Sequence, residues 1–263
     1  MIAIIPAAGK GTRLKPLTNI APKPLLPVYN KPMIFYPLLS LQEAGINDII
    51  IVADKDNKNE FETFFGDGKK FGLNIRYVIQ EKQLGIAHAI GTTEELVGEE
   101  DIIVIHGDNI IEENITPIVK EFEEQSFNIK GKKVKGAKIT LKQVSDPKRF
   151  GIAEVKNGQV IDIKEKPQEP KSNLATVSPY FFDNRAFDII RTLKPSGRGE
   201  YEISDLANAY LKEGTMTSNE ITGAWFDVGT IEALHEASDY ISKNPRLSEK
   251  NFKYIADLMS DKS

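Results

Sequence analysis

Ile2-Ala3-Ile4-Ile5-Pro6-Ala7-Ala8-Gly9-Lys10-Gly11-Thr12-Arg13 passes from an apolar run straight into a basic, glycine-rich segment. A short unbroken apolar run bounded by glycines predicts a buried strand followed by a loop. Working outward, Ile34 to Ala44 has apolar residues at helical spacing and stops at Gly45, a suitable residue just past a helix end. Asp48 to Ala53 predicts a second buried strand, Asn57 to Phe65 a helix, Leu73 to Ile79 a strand, Gly85 to Val97 a helix and Ile102 to Ile105 a strand. Strands alternating with helices, each strand almost wholly apolar, predict βαβ units and a mostly parallel sheet.

The pattern changes after about residue 135. Ala137 to Val144 alternates as a half-buried strand does, and two apolar stretches, Ile152 to Val155 and Val160 to Ile163, flank the hairpin signal Asn157-Gly158. Leu174 to Phe182 predicts another strand; Arg185 to Leu193, Ile203 to Leu211 and Ile231 to Ile241 predict helices. The basic stretch 128–136 is too short to separate domains. The sequence therefore reads as one continuous α/β domain, residues 1–241, with an antiparallel insertion and a C-terminal tail, residues 242–263.

Composition narrows the function. At 263 residues the chain can bury roughly three quarters of its unfolded surface. Lys and Arg number 34 against 38 Asp and Glu, a net charge of −4, so no global basic field invites nucleic acid or an anionic membrane. An anionic ligand must be held by local groups. No cysteine is present, which excludes disulfides, thiolate metal sites and cysteine nucleophiles, and three scattered histidines suggest no histidine metal cage. The N-terminal stretch lacks the pattern of a signal peptide and no run of about 18 apolar residues occurs, so a cytoplasmic protein is expected.

The glycine segment invites an anion, because backbone N–H groups can approach one there without interference from a Cβ. Gly9 and Gly11 lack the third glycine of a dinucleotide fingerprint, and Lys10 is followed by Gly11 rather than Ser or Thr, so a Walker A loop fails too. The glycines alone fit a plain tight turn equally well. Context changes that: Arg13 and Lys23 lie in a loop stiffened by prolines at 16, 22, 24, 27 and 32, an arrangement suited to clamping a triphosphate. Asp108 follows the predicted strand ending at Ile105, where open α/β sheets bind ligands, although an Asp there also fits a turn or a helix cap.

Ala7-Ala8-Gly9-x-Gly11-Thr12-Arg13-Leu14-x-Pro16-Leu17-Thr18, with Pro22-Lys23-Pro24-Leu25-Leu26-Pro27-Val28 and Lys31-Pro32-Met33-Ile34, resembles the signature of the sugar-1-phosphate nucleotidylyltransferases. The resemblance implies a Rossmann-like (GT-A-like) α/β fold: a mixed, mostly parallel central sheet flanked by helices, with an antiparallel sugar-binding insertion. It implies an enzyme that joins a nucleoside triphosphate, dTTP or UTP, to glucose 1-phosphate with release of pyrophosphate, using Mg²⁺. By the same resemblance Ala7, Ala8, Gly9, Gly11, Thr12 and Arg13 bind the nucleotide, with Gln80 reading the pyrimidine edge and Gly85 letting the base lie against backbone. Arg13, Lys23, Asp108 and Lys166 are its catalytic residues, and Asp108 and Asp227 its metal ligands. Mg²⁺ suits so sparse a pair, since it takes one or two carboxylates together with phosphate and water. Asp227 also fits a cap for the helix predicted near Thr230.

Gly151, Glu165, Lys166 and Thr176 are implied for the sugar phosphate, with Gly151 giving the sugar room. Neighbouring strand residues face opposite ways, so Glu165 and Lys166 share a site only if the chain turns there, which Pro167 permits. Ser178 stands where the family pattern has glycine, which leaves the sugar open. No membrane or nucleic-acid partner is implied; a homo-oligomer, tetramer or dimer, is. Other readings are a UTP-dependent relative, a non-catalytic sugar-nucleotide-binding subunit, or a metal-dependent glycosyltransferase. The presence of Arg13, Lys23, Asp108, Lys166 and Asp227 together argues against the non-catalytic one.

Overall fold

In the computed structural model, which describes residues 1–255, the first apolar run forms β1 (Ile2–Pro6). The proline-rich loop after it winds through three single 3₁₀ turns, Thr12–Leu14, Leu17–Asn19 and Lys23–Leu25, and the two-residue strands β2 (Pro27–Val28) and β3 (Lys31–Pro32). Then come α1 (Phe35–Glu43), β4 (Asp48–Ala53), α2 (Lys58–Phe65) and β5 (Asn74–Ile79). They are followed by α3 (Ile86–Gly91), α4 (Glu94–Val97), β6 (Ile102–Val104), β7 (Asn109–Ile111) and α5 (Thr116–Glu124). The middle of the chain is mostly strand: β8 (Phe127–Ile129), β9 (Lys132–Val134), β10 (Ala137–Gln143), β11 (Gly151–Lys156), β12 (Gln159–Glu165) and β13 (Leu174–Phe182). Last are α6 (Ala186–Thr192), α7 (Ile203–Glu213), β14 (Met216–Glu220), β15 (Trp225–Asp227), α8 (Ile231–Ser242) and α9 (Pro245–Ser248). This is the mixed α/β architecture that the alternation predicts. Among the described residues no helix is long and apolar enough to cross a membrane.

One difference from the sequence reading lies at Gly85–Val97, which is two helices rather than one. Thr92 and Thr93 turn their hydroxyls onto the carbonyls of Ala89 and Ile90, both at 2.7 Å. Two consecutive β-branched residues bonding back to the preceding turn interrupt the helix between α3 and α4. The reading also takes in neither α5 nor the short strands β7 to β9, β14 and β15. The basic stretch 128–136 proves to be mostly the β8–β9 hairpin, turning at Lys130-Gly131 with φ +48° and +85°.

Contacts group the chain into two compact units. The first holds residues 1–4, 82–104 and 116–222. Its long strand β13 takes β10 along one edge; the other edge pairs with β11 at its start and with β6 at its end, all antiparallel. β6 in turn pairs with β1 in parallel, from Ile2↔Ile102 to Ile4↔Val104. β11 and β12 form the hairpin expected at Asn157-Gly158, whose φ values of +52° and +76° are what a two-residue turn of this hand needs. Buried Ser178 and Pro179 fall where β13 shifts register against β10, between Ile139↔Tyr180 and Thr140↔Val177.

The second unit holds, of the described residues, 5–81, 105–115 and 223–255. β4 and β5 pair in parallel from Asp48↔Asn74 to Ala53↔Ile79, and Ala7 N donates to Val52 O at 2.8 Å, so the glycine loop starts beside the end of β4. β7 and β15 pair antiparallel, with Trp225 opposite Ile111 and Asp227 opposite Asn109. The proline-rich loop is packed rather than draped: Leu14, Leu26 and Val28 share a core with Met33, Ile110, Val228, Ala237 and Ile241. That core fixes the loop that carries Arg13 and Lys23 against the strand that carries Asp227.

Candidate active site

Gly11 is the pivot of the glycine loop. Its φ is +57°, and a Cβ there would lie 2.8 Å from Thr18 Cγ2 and 3.0 Å from Lys23 Cβ. Only glycine accepts both the left-handed backbone and that approach. Thr18 Oγ1 closes the turn by donating to Gly11 O at 3.2 Å. Ile34 N donates to Pro24 O and Met33 N to Leu26 O, at 2.8 and 2.9 Å, so the stretch bearing Lys23 is tied to the start of α1. Ala7 and Ala8 are buried, whereas Gly9, Thr12 and Arg13 are exposed, and nothing lies within 4 Å of where a Gly9 Cβ would stand.

Lys23 reaches Asp108 and forms an ion pair with its Oδ2. Asp108 sits in a turn before β7; Val228 N donates to its main-chain oxygen at 3.0 Å. That bond draws the residue next to Asp227 onto Asp108. Arg13 joins the group: a Cβ on Gly229 would stand 2.9 Å from Arg13 Nη2 and 3.6 Å from Asp227 Oδ2. Burial opposes ionisation of Asp108, but Lys23, His106 and hydrogen bonds from Lys23 and the Asp108 backbone outweigh it, holding the carboxyl below its usual range. Burial pushes the His106 imidazole down, while Asp108 and Asp227 both pull it up, so both carboxylates lie within electrostatic reach of one ring. The helix-cap reading of Asp227 is set aside, because Thr230 Oγ1 accepts from Ala233 N at 3.2 Å and caps α8 itself. Arg13, Lys23, Asp108 and Asp227, far apart in sequence, thus gather at one place in the second unit.

Gln80 belongs to the same unit, directly after β5; it is buried, and its N donates to Ala53 O at 2.8 Å. Among the described residues no three His, Asp or Glu side chains gather into an all-protein metal site. Mg²⁺ does not require one. Two carboxylates on paired segments, one of them held ionised, are a donor set that fits this ion.

The first unit collects the residues expected at the sugar. Lys166 has φ +42° and its N donates to Phe150 O at 2.9 Å, so the chain does turn after Glu165 and leaves Lys166 Nζ 3.9 Å from Glu165 Oε1. At Gly151, also expected at the sugar, a Cβ would lie 2.8 Å from Thr176 Oγ1 and 3.1 Å from Glu165 Oε2. The missing side chain lets Thr176 and Glu165, the other two groups expected there, approach the Gly151 backbone closely. Gly85, expected to sit against a base, has φ +101° and would place a Cβ 2.5 Å from Tyr201 O. The segment before α7 thus leaves no room for a side chain at this position.

The sequence reading misses that segment. Ser196-Gly197-Arg198-Gly199-Glu200-Tyr201-Glu202 folds so that Arg198 grips buried Glu202 through Nε at 3.2 Å and Nη2 at 3.0 and 3.1 Å, with Ser196 Oγ donating to Glu202 Oε1 at 2.7 Å. Arg198 Nη2 lies 3.8 Å from Glu165 Oε1, and Ser204 Oγ donates to Glu165 Oε2 at 3.0 Å. An arginine between two glycines, just ahead of a helix and followed by two glutamates, is the signal that could have marked it.

A glycine turn with two cations and two carboxylates in one unit, and a cation–carboxylate cluster beside a strand hairpin in the other, define an α/β enzyme that handles phosphate esters. The chain belongs to the nucleotidyl transferase family, whose model matches residues 2–244. It is 43% identical to a glucose-1-phosphate thymidylyltransferase of Neisseria meningitidis over 92% of this chain and 82% of that one. A protein of Bacillus anthracis assigned as a glucose-1-phosphate thymidylyltransferase, crystallised with sucrose, superposes with a TM-score of 0.84 at 43% identity over 91% of this chain and 94% of that one. A UDP-glucose pyrophosphorylase complexed with UDP-glucose superposes at 0.79 with 26% identity, over 92% and 99% of the two chains.

Proposed function

We propose that this chain joins dTTP to glucose 1-phosphate, forming dTDP-glucose and pyrophosphate. The observation that carries the reading is the gathering of Arg13, Lys23, Asp108 and Asp227, in a chain 43% identical to a thymidylyltransferase. A phosphate oxygen of glucose 1-phosphate attacks the α-phosphorus; the bond from that phosphorus to the β-bridging oxygen breaks, and pyrophosphate leaves with its electrons. No protein nucleophile is needed. What remains for the protein is positioning and charge neutralisation. The N–H groups around Gly9 and Gly11, with exposed Thr12 and Arg13, receive the triphosphate, and Arg13 offsets charge growing on the departing pyrophosphate. Lys23 exchanges its carboxylate partner for phosphate oxygens when the nucleotide binds. Gln80 can donate to and accept from the pyrimidine edge at once. In the first unit Glu165 accepts from sugar hydroxyls and Lys166 holds the sugar phosphate, with Thr176 beside Glu165. Asp108 and Asp227 would hold Mg²⁺, which when bound neutralises phosphate charge.

UTP is the second reading, favoured by the structural likeness to a UDP-glucose pyrophosphorylase. Thymine differs from uracil by a methyl, which a pocket distinguishes by only about 1–3 kcal/mol. Pyrophosphate release measured over a panel of nucleotide and sugar-phosphate pairs tests both. Fastest turnover with dTTP and glucose 1-phosphate is expected; faster turnover with UTP replaces the first reading with the second, and no release with any pair ends both. The same reading takes the protein as a cytoplasmic homo-oligomer, and light scattering giving a monomer mass would remove that part.

A further inference from the structure

Asp108 is held from both sides, and only one side belongs to Lys23. Asp108 Oδ2 meets the lysine, while Oδ1 accepts from Asn109 Nδ2 at 3.0 Å. Asn109 is 2% exposed, and its Oδ1 accepts in turn from Trp225 Nε1 at 3.3 Å. The direction of this short relay is dictated by chemistry. An indole N–H can only donate, so it fixes the amide oxygen toward Trp225 and leaves the NH₂ facing the carboxylate. Asn109 is also the residue opposite Asp227 in the β7–β15 pair, and Trp225 lies two residues before Asp227 on that strand. Asn109 therefore bonds the first carboxylate through its side chain, stands opposite the second in the strand pair, and is oriented by the chain's single tryptophan.

We propose that Asn109, braced by Trp225, is a positioning residue that aims the Asp108 carboxylate toward the cation it shares with Asp227. The proposal rests on the metal reading of these two aspartates. A neutral amide suits this position because it satisfies Oδ1 without adding a charge that would compete with the ion, whereas Lys23 on Oδ2 does compete. An aliphatic residue of the same size would leave a buried carboxylate oxygen without its bond and free to rotate. Outer partners of metal ligands act in this way in general, by fixing the orientation of the donor.

The test measures binding of Mn²⁺ alone by the loss of its free electron-spin-resonance signal, beside the thermal midpoint and the emission of Trp225. Asn109→Leu should stay folded with a lowered midpoint, shift the Trp225 emission through loss of its acceptor, and weaken Mn²⁺ binding about 10- to 100-fold. A folded Asn109→Leu protein that binds Mn²⁺ as tightly as the wild type overturns the proposal. Should that variant fail to fold, Trp225→Phe decides: it removes the donor that orients the amide while leaving Asn109 in place, so weaker Mn²⁺ binding supports the relay and unchanged binding overturns it. A wild-type chain that binds no Mn²⁺ removes the metal reading itself, and the role of Asn109 falls with it.

Discussion

At Glu165, burial and the nearby Glu202 carboxylate both push the carboxyl above its ordinary range, while Ser204, Lys166 and Arg198 pull the other way without winning. A carboxyl whose pKa is higher in the folded chain than in the unfolded one costs stability when ionised, and the cost is relieved as pH falls toward the raised value. Glu165→Gln keeps the shape and can still accept from Ser204 Oγ. Its thermal midpoint should therefore exceed that of the wild type at pH 8, and the gap should close on acidification toward pH 5. Its KM for glucose 1-phosphate should rise about tenfold or more, since a charge-assisted acceptor for sugar hydroxyls is lost. A midpoint gap that widens on acidification would contradict the burial argument; an unchanged KM would take Glu165 out of the sugar site. Arg13 is exposed, so Arg13→Ala should move the midpoint little while lowering kcat on the order of 10²-fold, the cost of losing a transition-state donor. Near-normal turnover by that variant would remove arginine from the role assigned to it.

Between β1 and α1, the two glycines of one loop make opposite demands, and the contrast is a test at the level of the element. Gly11→Ala must bear a left-handed alanine, costing about 1–2 kcal/mol, and pushes a methyl into Thr18 and Lys23, so it should lower both the thermal midpoint and kcat/KM. Gly9→Ala meets nothing within 4 Å, so its midpoint should stay put, and any loss of kcat/KM then reports a ligand lying on that backbone. Equal stability losses in the two variants would refute the distinction. What the sequence makes legible here is whatever is written contiguously: the β1 loop, the Asn157-Gly158 hairpin and the turn required between Glu165 and Lys166. What escapes it depends on residues that only folding brings together. β7 and β15 have three residues each, too few for any periodicity, and pair across more than a hundred residues, yet they set Asp227 opposite Asn109. The close neighbours of Gly151 and Gly85, Thr176 with Glu165 and Tyr201, are likewise unreadable in sequence because they lie elsewhere in the chain. Of the missed elements only α5 carried a readable signal, with Ile118, Val119 and Phe122 on one buried face.

For the molecule as a whole, the chain beyond Ile241 matters more than a tail would suggest, within the residues described; of the stretch 242–263, residues 256–263 lie outside them. Lys31, almost fully buried, donates from Nζ to the carbonyls of Leu247, Ser248 and Lys250 at 2.8, 3.1 and 2.6 Å, which ties the end of α9 to the proline-rich loop. Burial, aided by the charge of Lys250, lowers the Lys31 pKa to about 8, as expected of an ammonium taken out of water. A little further on, Phe252 is fully buried, its ring edge-on to Phe35 at 5.0 Å and to Phe71 at 5.2 Å. Phe35 opens α1, the helix to whose start the Lys23 stretch is hydrogen-bonded. Loss of the Phe252 ring leaves a cavity that its aromatic neighbours cannot close, at a cost of about 3–5 kcal/mol. In a chain of this length each kcal/mol moves the thermal midpoint by about 2–4 °C, so Phe252→Ala should melt roughly 6–20 °C below the wild type. At a temperature where the variant is still folded, its kcat should stay close to that of the wild type, because Phe252 supports the scaffold and touches none of Arg13, Lys23, Asp108 or Asp227. Differential scanning calorimetry checks the first expectation and pyrophosphate release the second. A midpoint unmoved by the substitution would mean that the aromatic cluster closes without Phe252, and that the chain beyond Ile241 is held to its unit by the Lys31 contacts instead.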